Sequence, residues 1–411
     1  MFKSPKNMRL HIGIFGRRNV GKSSILNALV TQDVSIVSAV AGTTTDPVEK
    51  AMELQPLGPV LFIDTAGVDD EGILGELRVA RTKQILDRVD LAIIVTAAGE
   101  WGAFEDSLAH ELRNRNVATI AVFNKTDIDK PDTKTVSTIK SLGIHSEMTC
   151  ATAKTGIAEL RAALVKCAPE EFIGSVRIIA DLIPPGECAV LVVPIDKEAP
   201  KGRLILPQVQ TIRDLLDNDA YCLVVKEREL KDALQRLSVP PRLVVTDSQA
   251  FLKVAADTPP NVLLTSFSIL FARFLGDLQT MVSGACTIDS LRTGDRVLIA
   301  EACTHHPIGE DIGSVKIPRW LTNYVGGKLN FTHTRGHDFP ADVSSYKLVI
   351  HCGACMWNRR EMLSRILLCK QAGVPITNYG LTIAYSLGIF ERALGPFPGV
   401  LEAYKREKIK R

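Results

Sequence analysis

Two groups of residues in this 411-residue chain could do chemistry, and they lie far apart in the sequence. Residues 16–23, GRRNVGKS, fit the pattern of a phosphate-binding loop in full. Cys303, His305, Cys352 and Cys355 form a Cys-x-His…Cys-x-x-Cys constellation, which is typical of a soft-metal site. The chain therefore combines a phosphate-binding motif with a candidate metal site.

The phosphate-binding loop lies between an apolar run at residues 10–15, which predicts a strand, and residues 24–29, which predict a helix start. Its glycines let backbone N–H groups turn toward phosphates at the positive end of the helix. Lys22 is expected to reach the β- and γ-phosphates, and Ser23 to place its hydroxyl on Mg²⁺. The predicted nucleotide contacts of this segment are Gly16, Asn19, Val20, Gly21, Lys22, Ser23 and Ser24.

Further motifs follow in the order found in GTP-binding proteins. Asp64 and Gly67, in DTAG after a strand-like run, are expected to hold the Mg²⁺ shell and to contact the γ-phosphate. Thr43 and Thr44, in the polar stretch GTTTD, suit a mobile switch that closes on Mg²⁺ and the γ-phosphate. The predicted catalytic residues are Lys22, Thr44, Asp64 and Gly67.

Base recognition is predicted at NKTD, residues 124–127, which follow another apolar run. The carboxylate of Asp127 can accept hydrogen bonds from guanine N1–H and N2–H₂. Adenine cannot offer that pair, so the site should select GTP over ATP. A second base-contacting loop is expected at residues 152–154. The predicted base contacts are Asn124, Lys125, Asp127, Thr152, Ala153 and Lys154.

Residues 10–168 therefore resemble a GTPase domain of the translation-factor-related type, close to the Era and MnmE-like proteins. Val68 follows Gly67, where Ras-like proteins have a water-orienting glutamine, so slow intrinsic hydrolysis is expected. Asn19 matches the asparagine that relatives use to hold an activating K⁺; the alternative is a turn residue without a ligand. The expected ligands of the domain are GTP or GDP, Mg²⁺ and K⁺.

Composition limits the function classes. Hydrophobic residues make up 46% of the chain and the net charge is +3, which indicates ordinary globular domains without a large polyanion-binding face. No apolar run is long enough to span a bilayer, and no signal peptide is expected. We therefore expect a cytoplasmic protein that binds neither membrane nor nucleic acid. The predicted domains are 1–170, 174–260 and 261–411.

The expected fold class is α/β: a P-loop GTPase domain, then a small α/β domain, then an α/β domain that carries the cysteine site. The middle segment alternates strand-like and helical runs without a catalytic motif, which favours an assembly or coupling module. In the last segment, Cys303 follows one strand-like run and Cys352 follows the next. Because ligands gather at the carboxyl ends of strands in open α/β sheets, the metal residues should meet there.

Residue types alone leave the cysteine site open to several interpretations. Three thiolates and an imidazole fit a Cys₃His zinc site or a [4Fe–4S] cluster with an unusual fourth ligand, and the spacing alone slightly favours zinc. A thioredoxin-like redox pair and a pair of core cysteines are further alternatives for Cys352 and Cys355. Isolated cysteines in apolar surroundings are expected to be buried small hydrophobes: Cys150, Cys167, Cys188, Cys222 and Cys369.

A GTPase followed by Cys-x-His, a gap of 46 residues and Cys-x-x-Cys resembles the HydF family of [FeFe]-hydrogenase maturation GTPases over essentially the whole chain. The resemblance implies a [4Fe–4S] cluster on Cys303, Cys352 and Cys355. His305 would be an exchangeable fourth ligand, with His306 or Glu310 as competitors.

The same resemblance implies a function and partners. The chain would be a homodimeric scaffold or carrier that delivers a di-iron precursor to apo-[FeFe]-hydrogenase, with radical-SAM maturases as further partners. The middle segment would be its dimerisation domain and the last segment its cluster-binding domain. An RNA-associated GTPase of the Era or MnmE type and a zinc-containing GTPase remain the alternative functions.

Overall fold

The computed structural model describes residues 9–30, 36–40, 48–54, 57–65, 84–169, 177–194, 204–302 and 311–410. By its internal contacts the chain divides into two compact units, Met1–Val176 and Arg177–Arg411.

The first unit is built on one sheet. Its described strands are β1 Leu10–Phe15, β2 Ile36–Val40, β3 Val48–Leu54, β4 Gly58–Asp64, β5 Leu91–Ala97, β6 Ala118–Asn124 and β7 His145–Met148. They lie in the order β2-β3-β4-β1-β5-β6-β7, and all neighbours pair in parallel except β2 with β3 and β3 with β4. The central strands are buried almost throughout, as their continuous apolar sequences require when helices cover both faces.

Helices pack on both faces of this sheet. Those with described bounds are α1 Lys22–Val30, α2 Ala103–Asn114, α3 Thr133–Ser141 and α4 Ile157–Cys167. Apolar side chains of α1 and α4 join one core, and those of α2 and α3 join a second core on the opposite face. Because β1, β4, β5 and β6 run parallel, the loops after them open at one edge of the sheet.

The second unit contains two parallel sheets. The strands of the first are β8 Cys188–Val192, β9 Tyr221–Val225, β10 Leu243–Thr246 and β11 Leu263–Ser266, in the order β11-β10-β8-β9. The strands of the second are β12 Arg296–Glu301, β13 Asn330–Arg335, β14 Leu348–His351 and β15 Ile376–Asn378, in the order β13-β12-β14-β15.

Helices connect and cover these two sheets. They are α5 Leu206–Leu216, α6 Leu230–Arg236, α7 Phe251–Asp257, α8 Phe267–Leu275, α9 Leu278–Ala285, α10 Ile317–Val325, α11 Arg359–Gln371, α12 Tyr379–Ser386, α13 Phe390–Ala393 and α14 Pro398–Lys410. Several begin at a polar cap: Ser266 accepts the N–H of Ile269, and Asn378 accepts the N–H of Leu381. One continuous apolar core contains residues of both sheets.

The predicted α/β class is confirmed, with two differences in detail. Strand β13 was not predicted, because its sequence NFTHTR is largely polar and it lies half-exposed at a sheet edge. Strand β11 begins after Pro259 and Pro260, where the sequence predicts a domain boundary, yet it completes the sheet of the middle segment. We therefore propose that this boundary lies after β11.

Candidate functional site

The phosphate-binding loop connects the end of β1 to the start of α1, and two of its glycines are required by geometry. Gly16 has φ +146°, and a Cβ there would lie 2.2 Å from the carbonyl oxygen of Val95. Gly21 has φ +97°, and its Cβ would lie 2.2 Å from Nδ2 of Asn124. Asn19 has φ 64°, a left-handed conformation that asparagine tolerates better than most residues.

Lys22, Ser23 and Asp64 form the charged centre of this site. The buried Lys22 Nζ donates to the carbonyl oxygens of Gly16 and Arg17 at 2.9 and 2.7 Å. Ser23 Oγ donates to Asp64 Oδ2 at 2.9 Å. The second carboxylate oxygen, Oδ1, is buried and accepts no hydrogen bond from the described residues. A serine hydroxyl beside an unsatisfied carboxylate oxygen is a donor set that suits Mg²⁺.

Opposing effects set the protonation of Asp64. Burial raises the pKa of this carboxyl, whereas the Ser23 hydrogen bond and the positive charges of Lys22 and Lys50 lower it, and burial is the larger effect. A divalent cation at this position would favour the ionised form, because it supplies positive charge next to the buried oxygen.

Asn124 connects the phosphate-binding loop to the base-recognition loops. Its Nδ2 donates to the carbonyl oxygen of Val20 at 2.9 Å. Its Oδ1 accepts the Thr149 hydroxyl at 3.3 Å and the Ala151 N–H at 3.1 Å. Asp127, at the end of the same motif, is exposed to solvent. The buried amide of Asn124 therefore holds the phosphate-binding loop against the loop after β7, and the exposed carboxylate of Asp127 is available to a guanine base.

The second predicted base loop, residues 152–154, lies just beyond residues that contact Asn124. The residues predicted there, Thr152, Ala153 and Lys154, are all exposed, and Lys154 has φ 57°. The contacts to Asn124 come from Thr149 and Ala151, in the loop that directly follows β7. The sequence signal that could have identified them is Thr-Cys-Ala directly before residues 152–154.

The cysteine loop follows β14. Ala354 has φ 51°, which turns the chain between Cys352 and Cys355. The N–H groups of Ala302 and Ala354 donate to the Cys352 sulfur at 3.1 and 3.5 Å. The N–H of Cys352 in turn donates to the carbonyl oxygen of Ala300, at the end of β12. Backbone donors directed at one sulfur stabilise a thiolate.

The cysteine loop lies at the point where the strand order reverses. β12 is followed in the chain by β13 on one side and then by β14 on its other side. The carboxyl ends of β12 and β14 therefore border the crevice where open α/β sheets bind ligands. Ala302, the last described residue after β12, donates to Cys352.

Five predicted site residues lie outside the described residues: Thr43, Thr44, Gly67, Cys303 and His305. The same holds for Val68, His306 and Glu310. Within the part of the chain that the structure describes, no group of three or more His, Cys, Asp or Glu side chains is arranged to hold a metal ion.

Comparison with family models assigns each segment. A 50S ribosome-binding GTPase model matches residues 11–125. Models of the hydrogen maturase F dimerization domain and tetramerization domain match residues 178–276 and 279–396, which together are more than half of the chain. The chain belongs to the hydrogen maturase F (HydF) family, the hydrogenase maturation GTPases. This confirms the expected family, the GTPase activity of the first domain and its binding of GTP or GDP with Mg²⁺.

Curated relatives of this HydF-family chain match its first domain. GTPase Der of Sulfurimonas denitrificans is 40% identical over 127 residues, covering 30% of this chain and 26% of the relative. GTPase Der of Campylobacter jejuni is 39% identical over 144 residues, covering 34% and 31%. The chain thus spans less than a third of the length of these relatives.

Two solved structures are similar to parts of the chain. Era from Aquifex aeolicus, in a variant bound to GDP.AlF4-, is 21% identical and covers 61% of this chain and 99% of its own, with a TM-score of 0.33. The G domain of the T. maritima FeoB iron transporter is 23% identical and covers 38% and 98%, with a TM-score of 0.30. No helix in the described part of the HydF-family chain has the length and apolar content to cross a membrane.

A polar cluster borders the cysteine loop of this HydF-family chain. The buried carboxylate of Glu301 accepts the Arg335 guanidinium at 2.9 Å and the Tyr379 hydroxyl at 3.2 Å. Burial raises the pKa of Tyr379 well above its usual value, and the neighbouring Cys352 and Glu301 raise it further. Tyr379 therefore stays a neutral hydrogen-bond donor beside the sulfur.

His351 lies behind the cysteine loop and is fully buried. Its Nδ1 faces the Cys352 carbonyl oxygen at 2.9 Å, and its Nε2 faces the Arg365 guanidinium at 3.0 Å. Nδ1 therefore carries the proton and Nε2 accepts. Burial, and then the charge of Arg365, lower the pKa of His351 to about 3, so the ring is neutral. His351 therefore supports the loop rather than binding a metal.

The isolated cysteines differ from the loop cysteines in their surroundings. Cys150, Cys188 and Cys369 are buried, and Cys167 and Cys222 are half-buried. Burial raises the pKa of Cys369 to about 12 and also raises the pKa values of Cys167, Cys188 and Cys222. A thiol that resists ionisation is a poor metal ligand and a poor nucleophile.

Proposed function

We propose that this chain is a GTP-hydrolysing scaffold that holds a [4Fe–4S] cluster through Cys303, Cys352 and Cys355. It carries a di-iron precursor to apo-[FeFe]-hydrogenase. The observation that carries the cluster assignment is the Cys352 sulfur, which accepts two backbone N–H groups at a strand-order reversal. Cys303 directly follows Ala302 in the sequence, and Cys355 lies three residues after Cys352.

The nucleotide residues have separate tasks in this proposal. Lys22 exchanges its loop carbonyl partners for the β- and γ-phosphates, which carry more negative charge. Ser23 and Asp64 hold Mg²⁺, which neutralises phosphate charge when bound. Asp127 selects guanine, and Asn19 provides an oxygen for K⁺. Thr44 and Gly67 complete the γ-phosphate contacts from segments outside the described residues.

The cysteine residues favour a cargo site over a purely structural one. A cluster supplies redox-active iron, and three thiolates leave one iron to a weaker fourth ligand. His305 is proposed for that position because imidazole exchanges more readily than thiolate. An open position of this kind allows a carrier to accept and release a bridging group, as catalytic zinc sites keep one position open.

The dimerization and tetramerization domains indicate that the chain forms oligomers. We place the homodimer contact at the β9 edge of the first sheet in the second unit. Tyr221 and Val224 of this edge strand are 54% and 43% exposed, and Val209 and Leu216 of α5 are 46% and 55% exposed. Apolar side chains beside an open strand edge suit pairing with a second copy. We further propose that radical-SAM maturases are partners of this chain and that it is located in the cytoplasm.

Metal analysis tests the proposed function directly. Anaerobically purified protein, reconstituted with iron and sulfide, should bind about four of each and turn brown. Zinc should not compete for the site under these conditions. A colourless protein that retains one tightly bound zinc and no sulfide would overturn the cluster assignment and support the zinc-containing GTPase instead.

A further inference from the structure

A buried carboxylate joins helix α2 to the phosphate-binding loop. Glu105, in the first turn of α2, is fully buried. Its Oε2 accepts a hydrogen bond from the guanidinium of Arg17, the second residue of the loop, at 2.9 Å. The same oxygen accepts the N–H of Gly102, at the start of the helix, at 3.0 Å. One carboxylate oxygen therefore holds both the start of α2 and the loop.

The surroundings of Arg17 hold its guanidinium in place. The guanidinium carbon lies 5.9 Å from the ring centre of Phe104. A Cβ at Gly102 would lie 3.2 Å from Arg17 Nη2, which is tighter than ordinary van der Waals contact, so glycine leaves room for the group. A carboxylate, an aromatic ring and a glycine thus surround a side chain that is still 37% exposed.

The backbone of Arg17 is part of the site that holds Lys22. Lys22 Nζ donates to the carbonyl oxygens of Arg17 and Gly16 at 2.7 and 2.9 Å. A Cβ at Gly16 would lie 2.2 Å from the carbonyl oxygen of Val95, so the loop packs closely on β5 at this residue. The loop is therefore anchored to β5 through Gly16 and to α2 through Arg17.

Helix capping alone does not account for the contacts of Glu105. At the third position of a helix, glutamine caps as glutamate does. Burying a carboxylate costs free energy unless an opposite charge lies nearby, and Arg17 supplies that charge. The ion pair is thus the feature that distinguishes Glu105 from a neutral cap, and it connects Glu105 to the phosphate-binding loop.

We propose that Arg17 and Glu105 are positioning residues of the GTPase reaction: their ion pair preorganises the phosphate-binding loop and so strengthens binding of the β-phosphate. Neither side chain is required to touch the nucleotide. A loop that is already held in place loses less conformational entropy when phosphates bind. Because GDP and GTP both carry the β-phosphate, the pair acts on the affinity for both nucleotides rather than on the hydrolysis step.

Four variants of the full-length protein and one control test the pair. Glu105→Gln removes the charge and keeps an oxygen for the Gly102 N–H, and Arg17→Gln removes the partner charge. The double variant completes the cycle, and Arg17→Lys keeps a charge on the loop. Arg113→Gln, at an exposed arginine of α2, is the matched control. Calorimetric titration with GDP and Mg²⁺ gives the affinity, steady-state hydrolysis gives KM and kcat for GTP, and circular dichroism verifies folding.

The ion pair predicts a change in KM without a change in kcat. Glu105→Gln, Arg17→Gln and the double variant should each raise the Kd for GDP and the KM for GTP roughly tenfold, with kcat within about twofold of the wild type. The double variant should be no weaker than either single variant, because the members of one pair are not additive. Arg17→Lys and Arg113→Gln should stay within about threefold of the wild type.

The cycle also covers a variant that does not fold. Arg17→Gln leaves the Glu105 carboxylate buried without the charge of Arg17, which can prevent folding. Glu105→Gln and the double variant contain no carboxylate at this position and carry the same prediction.

Three outcomes would overturn the inference. A folded Glu105→Gln variant with unchanged affinity for GDP and unchanged KM would show that Glu105 is only a helix cap. A double variant whose loss of affinity equals the two single losses added together would show that the residues act independently. A fall in kcat at unchanged KM would place the effect on the hydrolysis step rather than on the positioning of the loop.

Discussion

The nucleotide site and the cysteine site both lie at the carboxyl ends of parallel strands, but different interactions hold them. In the nucleotide site the side chains bind one another and the loop: Lys22 contacts two loop carbonyls, and Asn124 contacts both Val20 and Ala151. At the cysteine site, the backbone groups of two alanines point at the sulfur of Cys352.

This difference reflects the ligands that each site is proposed to bind. A nucleotide arrives with its own Mg²⁺, so the protein needs a preformed cradle and few charges. A metal–sulfur cluster is attached by covalent bonds to thiolates, so the protein needs donors and charge that stabilise the anionic sulfur. The two sites should therefore respond separately to substitutions.

The largest expected effect at the cysteine site is loss of the cluster. Cys352→Ala or Cys355→Ala should reduce iron to background after reconstitution, because two thiolates cannot anchor a cubane. His305→Ala should keep the cluster with an altered resonance spectrum, since water can fill one position. Iron-to-protein ratios and spectra of the reduced proteins measure this. Cys222→Ala, in the other sheet, is the control and should keep its iron.

Equal loss of iron in His305→Ala and Cys352→Ala would contradict the exchangeable fourth ligand. It would also remove the physical case for a carrier with an open iron, because all the ligands would then be equally required.

The largest expected effect at the nucleotide site is loss of hydrolysis. Lys22→Ala should reduce phosphate release roughly 100-fold or more, because a preorganised charge at the phosphates is lost. Its iron content should equal that of the wild type, since no nucleotide motif supplies a cluster ligand. Lys134→Ala, an exposed lysine of α3, serves as the control for both measurements. Iron loss in Lys22→Ala would show that the two sites are not separate.

Base selectivity should change by a smaller factor. Asp127→Asn should weaken GTP binding roughly 10- to 100-fold, since hydrogen bonds to charged groups contribute about 1.5–3 kcal/mol. The variant should gain affinity for xanthosine triphosphate, whose base accepts where guanine donates. The exposed position of Asp127 means that folding should be unaffected. Calorimetric titration with both nucleotides checks this, and unchanged GTP affinity would rule out the assignment.

Replacing Na⁺ by K⁺ should change the rate of GTP hydrolysis by a smaller factor still. Hydrolysis should be severalfold faster in K⁺ than in Na⁺ at equal ionic strength, because Asn19 offers an oxygen beside the phosphates. Asn19→Gly is the sharpest variant, since glycine accepts the φ of 64° without strain and lacks only the amide. It should lose the difference between the salts. Equal rates of the wild type in both salts would leave Asn19 as a turn residue.

The sequence predicts those strands and loops whose local pattern of apolar and polar residues matches their burial in the folded domain. Buried parallel strands such as β1 and β6 are largely apolar runs, interrupted in β1 by His11, and motifs at their ends occupy the expected edge. Strand β13 could not be recognised, because an exposed edge strand needs no apolar pattern. The contacts of Asn124 with Thr149 and Ala151 depend on how two loops meet, which sequence spacing does not encode.

At the cysteine site the sequence identifies the ligand types but not their surroundings. The pairing of β12 with β14, which brings Ala302 to Cys352, follows from strand order rather than from any motif. Arg365 lies ten residues beyond Cys355, inside a helix whose sequence gives no sign that one arginine is buried. The predicted roles of the residues outside the described ranges stay predictions.

The smallest expected effect concerns the stability of the nucleotide site without its metal. Burial raises the pKa of Asp64, so the folded state favours the protonated carboxyl. The Asp64 carboxyl therefore contributes its full stabilisation of the folded state below the unfolded pKa of about 4. This contribution is lost as pH rises through the higher pKa of the folded state. Asp64→Asn should remove this penalty at pH 7 while keeping the hydrogen bond from Ser23.

The nucleotide-free Asp64→Asn variant should be more stable than the wild type at pH 7, by no more than about 1 kcal/mol because solvent screens a partly exposed carboxyl. The gain should shrink toward pH 4, where the wild-type carboxyl is protonated. Urea unfolding without Mg²⁺ at both pH values measures the difference. Adding Mg²⁺ and GTP should reverse the order, because only the wild type retains the charged metal ligand. A variant that is less stable at pH 7 would mean that Asp64 is held ionised by its neighbours rather than destabilised by burial, and the nucleotide site would then depend on charge compensation by Lys22 and Lys50.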